Sequence, residues 1–259
     1  MTDEADTDAL AEAREWDARL GWAGGLIAED PAVRTAALDR HLGARRKVGA
    51  ALRRFNELRR PGEWLGGPVP TDATPSRAAY EEYREAMRRV LPDALWNRPG
   101  GDVRTWAGLP YALLFLEWEA GFPEEWTLHA KKWGTKERLL RDVAVPGHAE
   151  PARARLTDLV ETVVRRPYRC KDRAYVRVAR AVDSAELRAR LECAARSDTL
   201  WARRHARYVL WLLDRPDVPN TVHVWQTRLK AQAQAQAEAE AEKAGDCRAT
   251  THHHGSRNR

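Results

Sequence analysis

The apolar residues of this chain recur at helical spacing, and the faces opposite them are loaded with arginine; the pattern is clearest from about Ala152 to Asp214. Leu156, Leu159, Val160, Val163 and Val164 fall on one stripe, and Tyr175, Val178, Ala179 and Val182 on the next. Residues three and four apart share a helix face, so each run reads as an amphipathic helix with one side for a core. The polar sides carry Arg173, Arg177 and Arg180, then Arg203, Arg204 and Arg207. A chain of this kind stacks short helices and turns a cationic surface to water.

The same periodicity recurs upstream. Ala9, Ala13, Trp16 and Leu20 make one stripe, and Val48, Ala51, Leu52, Phe55 and Leu58 another. Thr74 before Pro75 is an N-cap followed by proline at the first helical position, opening a helix with Tyr80, Tyr83, Met87 and Val90. Tyr111 to Trp118 is apolar on nearly every side and should be the most buried helix. The last pair is expected over roughly Ala185–Arg196 and Leu200–Asp214. Pro and Gly mark the links, at Pro61-Gly62, Gly66-Gly67-Pro68, Pro99-Gly100-Gly101 and Pro146-Gly147. Helix, turn, helix at irregular length predicts an all-α, curved HEAT-like helical repeat solenoid, with an irregular bundle as the alternative. One helical-repeat domain is expected over 8–229. Residues 230–259 read as a low-complexity, largely disordered tail, because Ala alternates with Gln and Glu and leaves no apolar face; helix there should fray by Gly245.

Charge and cysteine usage narrow the classes. Lys131 to Arg215 holds 21 Lys and Arg against 11 Asp and Glu, a local net of +10 where the whole chain has +6. A face of that sign attracts polyanions by counterion release. Cys170, Cys193 and Cys247 are far apart and lack C-x-x-C spacing, which predicts reduced thiols rather than a disulfide framework or structural zinc. No run is apolar enough to span a bilayer, and the acidic start (Asp3, Glu4, Asp6, Asp8) is unlike a signal peptide. A cytoplasmic monomer without metal, cofactor or membrane partner is the expectation.

Few residues suggest chemistry on their own. Trp16, Trp118, Trp201 and Trp211 are expected in the core; Trp126 and Trp133 sit near His129, Lys131 and Lys132 and could flank a ligand, but core packing is the favoured reading for each taken singly. His148-Ala149-Glu150 has the first half of a zinc deaminase pattern without its P-C-x-x-C partner. His205, between Trp201 and Tyr208, reads as a satisfied core histidine. Gly24-Gly25 and Gly66-Gly67 lack the strand and helix of a phosphate loop. Glu117, Glu119, Glu124, Glu125 and Glu137 read mostly as solvated helix-face carboxylates.

Several landmarks taken in order resemble the bacterial alkylpurine DNA glycosylases built from HEAT-like repeats. Trp64-Leu65-Gly66 with Pro68 and Pro70 is similar to that family's L-G-x-x-x-P segment, and Leu95-Trp96-Asn97-Arg98-Pro99 to its L-W-D-x-P turn. Lys132-Trp133-Gly134-Thr135-Lys136-Glu137 stands about where the family has W-W-D-x-V-D and keeps a W-x-x-x-acid spacing. Ala174 to Ala179 resembles the helix carrying a catalytic-site arginine, and Tyr208-Val209-Leu210 falls at the family's W-V-L. The likeness spans roughly Trp64 to Pro216. It departs from the family in keeping one tryptophan of the pair, glutamate for aspartate, and tyrosine for the last tryptophan.

The resemblance implies excision of alkylated purines from duplex DNA, a repair activity. Alkylation puts positive charge on the purine and weakens its glycosidic bond; a carboxylate near the sugar stabilises the oxocarbenium-like charge that develops. On this reading Glu137 is the catalytic carboxylate and Trp133 a catalytic aromatic wall. Tyr208 is a second wall, Arg177 a phosphate clamp, and Arg173, Arg203, Arg204 and Arg207 add DNA contacts. Against this stand three plainer expectations: Glu137 as a first-turn acid behind a Thr135 cap, Tyr208 as core, and Arg177 as part of a solvated stripe. A nucleic-acid-binding relative without catalysis and a protein-interaction scaffold are the alternatives.

Overall fold

The computed structural model describes residues 2–58, 75–96, 98 and 100–252, and among them every regular element is helical. The N-terminal part comprises α1 (Thr2–Leu20), α2 (Pro31–Leu58) and α3 (Pro75–Met87). The middle holds α4 (Leu109–Gly121), α5 (Pro123–His129) and α6 (Trp133–Asp142). Then follow α7 (Ala152–Arg165), α8 (Tyr175–Ala181), α9 (Ala185–Ala195), α10 (Leu200–Leu213) and α11 (Val222–His252). Short 3-10 turns fill Gly21–Ile27, Asp93–Leu95, Val103–Thr105 and Asp172–Ala174.

One continuous core runs from Trp16 to Leu213. As its all-round apolar sequence requires, α4 lies at the centre, with Phe115, Leu116 and Trp118 inaccessible. The α7 stripe is buried as expected, and α7 packs on α4, α8, α9 and α10 at once. α2 packs on α3 and on the Gly21–Ile27 turn, which in turn rests on α4. Local chemistry sets the ends. Pro123 separates α4 from α5, because proline lacks the N–H that continues a helix. Ser184 caps α9 by accepting from the Leu187 N–H.

Several expectations change. Trp201 is 42% exposed and only edges the core beside His205, and Trp211 is half-buried. His205 is buried as expected, yet its Nε2 has no hydrogen-bond partner among the described residues. Trp126 is fully buried, in keeping with the favoured core reading. α6 begins at Trp133, so Thr135 is not its cap and Glu137 sits in the second turn, outside the reach of a first-turn dipole effect. Glu119 is not a solvated carboxylate; it is fully buried. The boundary expected at residue 229 falls inside the continuous helix α11, whose Val224, Trp225, Arg228 and Leu229 are half-buried. Thr74, the Trp64 to Pro70 segment, Asn97 and Pro99 lie outside the described residues. No described helix is long and apolar enough to cross a membrane.

Candidate functional site

The segment from Arg166 to Arg173 joins α7 to α8 and divides its side chains between two sides. Arg166, Arg169 and Asp172 turn inward, while Tyr168, Lys171 and Arg173 line an open cleft. The inward side chains meet Glu119 of α4 and Lys136 of α6. Lys136 has no exposed side-chain surface, and its Nζ donates to Asp172 Oδ1 at 2.6 Å and to the Cys170 carbonyl at 3.2 Å and pairs with Glu119 Oε2 at 2.9 Å. Three acceptors match its three protons. Arg166 donates to both Glu119 and Asp172, and Arg169 pairs with Glu119 at 3.1 Å while its backbone N–H donates to Asp172 at 2.7 Å. Arg169 also holds the Pro123 carbonyl at 2.8 Å and the Thr127 hydroxyl. Burying charge is costly unless partners are supplied, and here Lys136, Glu119 and Asp172 tie the segment to α4 and α6.

The cleft outside it has a volume of ≈ 130 Å³ and is lined by Glu137 and Arg141 of α6, Tyr168, Lys171, Arg173, Ala174, Arg177 of α8, and Asn220. Four cations face one carboxylate. Lys171 Nζ lies 2.8 Å from Glu137 Oε2. The Lys171 ammonium, then Arg141 and Arg173, hold the Glu137 carboxyl below its usual range, so it is ionised at neutral pH. Lys171 adopts the left-handed region, with φ 69°, the only described non-glycine residue to do so. A bulky residue there costs on the order of 1 kcal/mol, and strain of this sort collects at functional sites.

Arg173 is held from behind. Asn220 Nδ2 donates to the Arg173 carbonyl at 2.7 Å, and the Tyr208 hydroxyl donates to Asn220 Oδ1 at 3.0 Å. Arg173 Nη1 has no hydrogen-bond partner among the described residues, and neither Arg173 nor Arg177 has a carboxylate within ion-pair reach there. Several other arginines of this half are neutralised, Arg155 by Glu117, Arg188 by Asp183 and Asp214, and Arg190 by Asp158 and Glu186, whereas Arg203, Arg204 and Arg207 of α10 have no ion pair among the described residues. Unpaired cations therefore meet at the cleft, where Arg141, Arg173 and Arg177 share one lining, and others lie along α10.

Of the residues singled out from the sequence, Glu137, Arg173 and Arg177 come together. Trp133 does not join them. Its half-buried ring packs 5.0 Å from that of Trp126 and 5.5 Å from Lys136 Nζ and the Arg169 guanidinium, roofing the buried network. Tyr208 is 1% exposed, so it supports Asn220 instead of forming a wall; burial pushes its phenol up to about 12. Arg203, Arg204 and Arg207 lie on α10 outside the cleft lining; Arg203 donates to the Ser197 carbonyl, and Arg207 is exposed. The sequence reading missed Tyr168, Lys171, Arg141 and Asn220. A signal existed for the first two: a short link with four cations, Arg166, Arg169, Lys171 and Arg173, around one tyrosine.

Comparison with protein-family models, with curated proteins and with solved structures finds no match in any of the three.

Proposed function

We propose that the chain binds nucleic acid, with Arg173 and Arg177 gripping backbone phosphate in the cleft. The observation that carries this reading is a pair of guanidinium groups without an ion pair among the described residues in one cleft, Arg173 at the end of the segment fixed by buried ion pairs and Arg177 on α8 behind it. A planar fork of N–H donors suits phosphate oxygen. The HEAT-like stack belongs to the same proposal; the packing of α7 on α9 and of α9 on α10 is what such a stack needs. Binding of a fluorescent oligonucleotide tests the reading. Arg177→Gln is expected to weaken it several-fold irrespective of sequence, as loss of a phosphate contact does. Undiminished binding by that variant would count against the cleft.

One observation favours a second reading, excision of an alkylated purine: an ionised carboxylate stands among the phosphate-binding groups. Glu137 is 41% exposed in its side chain and negative at neutral pH. Such a group can stabilise an oxocarbenium-like sugar. Methylated DNA should then lose purine bases on incubation, and Glu137→Gln should stop release while binding persists. Binding without release leaves the chain a nucleic-acid-binding protein, the reading that the absence of Trp133 from the cleft favours.

A further inference from the structure

We infer that the cleft takes single-stranded in preference to duplex nucleic acid, by stacking an unpaired base on Tyr168. This rests on the phosphate-binding reading of the same cleft. Tyr168 is 39% exposed, although an aromatic ring of this size is ordinarily drawn into a core. It stands in the cleft lining beside Lys171, Arg173 and Arg177.

The ring is held ready. Trp225 of α11 stacks on it at 5.6 Å and 27°, and His205 meets it nearly at right angles at 5.7 Å. Its hydroxyl lies toward the Arg173 backbone N–H, which partly offsets the upward push of burial on the phenol. Pro167 precedes it and Arg166 and Arg169 on either side are locked by Glu119 and Asp172, so the backbone beneath the ring has little freedom. A fixed aromatic beside guanidinium groups is the combination that binds single strands: cations track the phosphates and each base offers a flat face to the ring. In a duplex the bases are already stacked on one another, and a ring at phosphate level meets only sugar. Stacking thus adds affinity for one form and nothing for the other.

Three labelled probes with equal phosphate counts test this on the full chain: oligothymidine of about twelve nucleotides, a hairpin duplex, and an abasic strand. Oligothymidine is expected to bind about ten-fold more tightly than hairpin or abasic strand, all three weakening steeply with salt. Tyr168→Leu should remove the preference, Tyr168→Trp should keep it, and Arg173→Gln should weaken all three probes together. Equal, salt-dependent binding of strand, hairpin and abasic probe would overturn the stacking inference and leave the phosphate reading standing. So would an equal loss on every probe with Tyr168→Leu. No salt-dependent binding to any probe would overturn both.

Discussion

Lys136 shows how a single side chain reaches the cleft without touching it. It pairs with two carboxylates of 0% and 2% exposure, and those carboxylates fix the loop that presents Tyr168, Lys171 and Arg173. Removing one partner of a buried pair leaves uncompensated charge, so Lys136→Met is expected to destabilise the fold by about 3–5 kcal/mol in urea unfolding. A cost under about 1 kcal/mol would mean the network is hydrated rather than closed. Tyr208→Phe removes only the hydroxyl that orients Asn220, with an expected cost of about 1 kcal/mol. Its more specific readout is affinity: weaker oligonucleotide binding through a misplaced Arg173, with the salt slope retained. At this scale the sequence was partly legible. Glu137, Arg173 and Arg177 share a cleft because α6 and α8 pack together. Glu119 was misread because its spacing in α4 looks like that of any helix carboxylate. The arrival of Lys136, 17 positions on, and of Arg166 and Arg169 explains its burial.

At the scale of elements, helical periodicity located α7, α9 and α10 nearly to their ends, since each buries a stripe against neighbours and carries ordinary stop signals. The start of α6 was missed because Thr135 resembles a cap, whereas the helix is already under way at Trp133. The segment between α7 and α8 carries no periodicity at all; ion pairs to α4 and α6 shape it, and those are long-range. Lys171 is its strained point. Lys171→Gly relieves the left-handed backbone while deleting a cation, so thermal stability should hold or rise while binding falls. A fall in both would show that the Glu137 contact outweighs the strain. α11 divides at about Lys230. Trp225 packs 4.5 Å from Tyr208, and Arg228 lies 5.0 Å from the Trp211 ring, but residues 231–235 are largely exposed. Ending the chain after Lys230 should leave the melting temperature unchanged, whereas Trp225→Ala should lower it.

Over the whole molecule, two buried histidines set the response to acid. Burial drives both His41 and His205 down to about 4, with neighbouring arginines adding to the effect. The unfolded chain takes up these protons near the ordinary histidine value of about 6.5, before the folded chain does. Stability should therefore fall as pH drops from about 6.5 toward 4, by up to about 1.4 kcal/mol per pH unit for each histidine. His205→Gln should flatten that slope in urea titrations at several pH values. On the same scale lies the distribution of charge. Composition located a basic half of the chain, but it could not show which of its arginines are internally paired, as Arg155, Arg188 and Arg190 are, and that the unpaired Arg173 and Arg177 share one cleft. That asymmetry is the core of the functional account, and the salt dependence of oligonucleotide binding tests it most directly. The wild-type chain should show a linear fall of log affinity with log salt, and Arg173→Gln combined with Arg177→Gln should reduce the slope by roughly 1.5 to 2. A double variant with the wild-type affinity and slope would contradict the account.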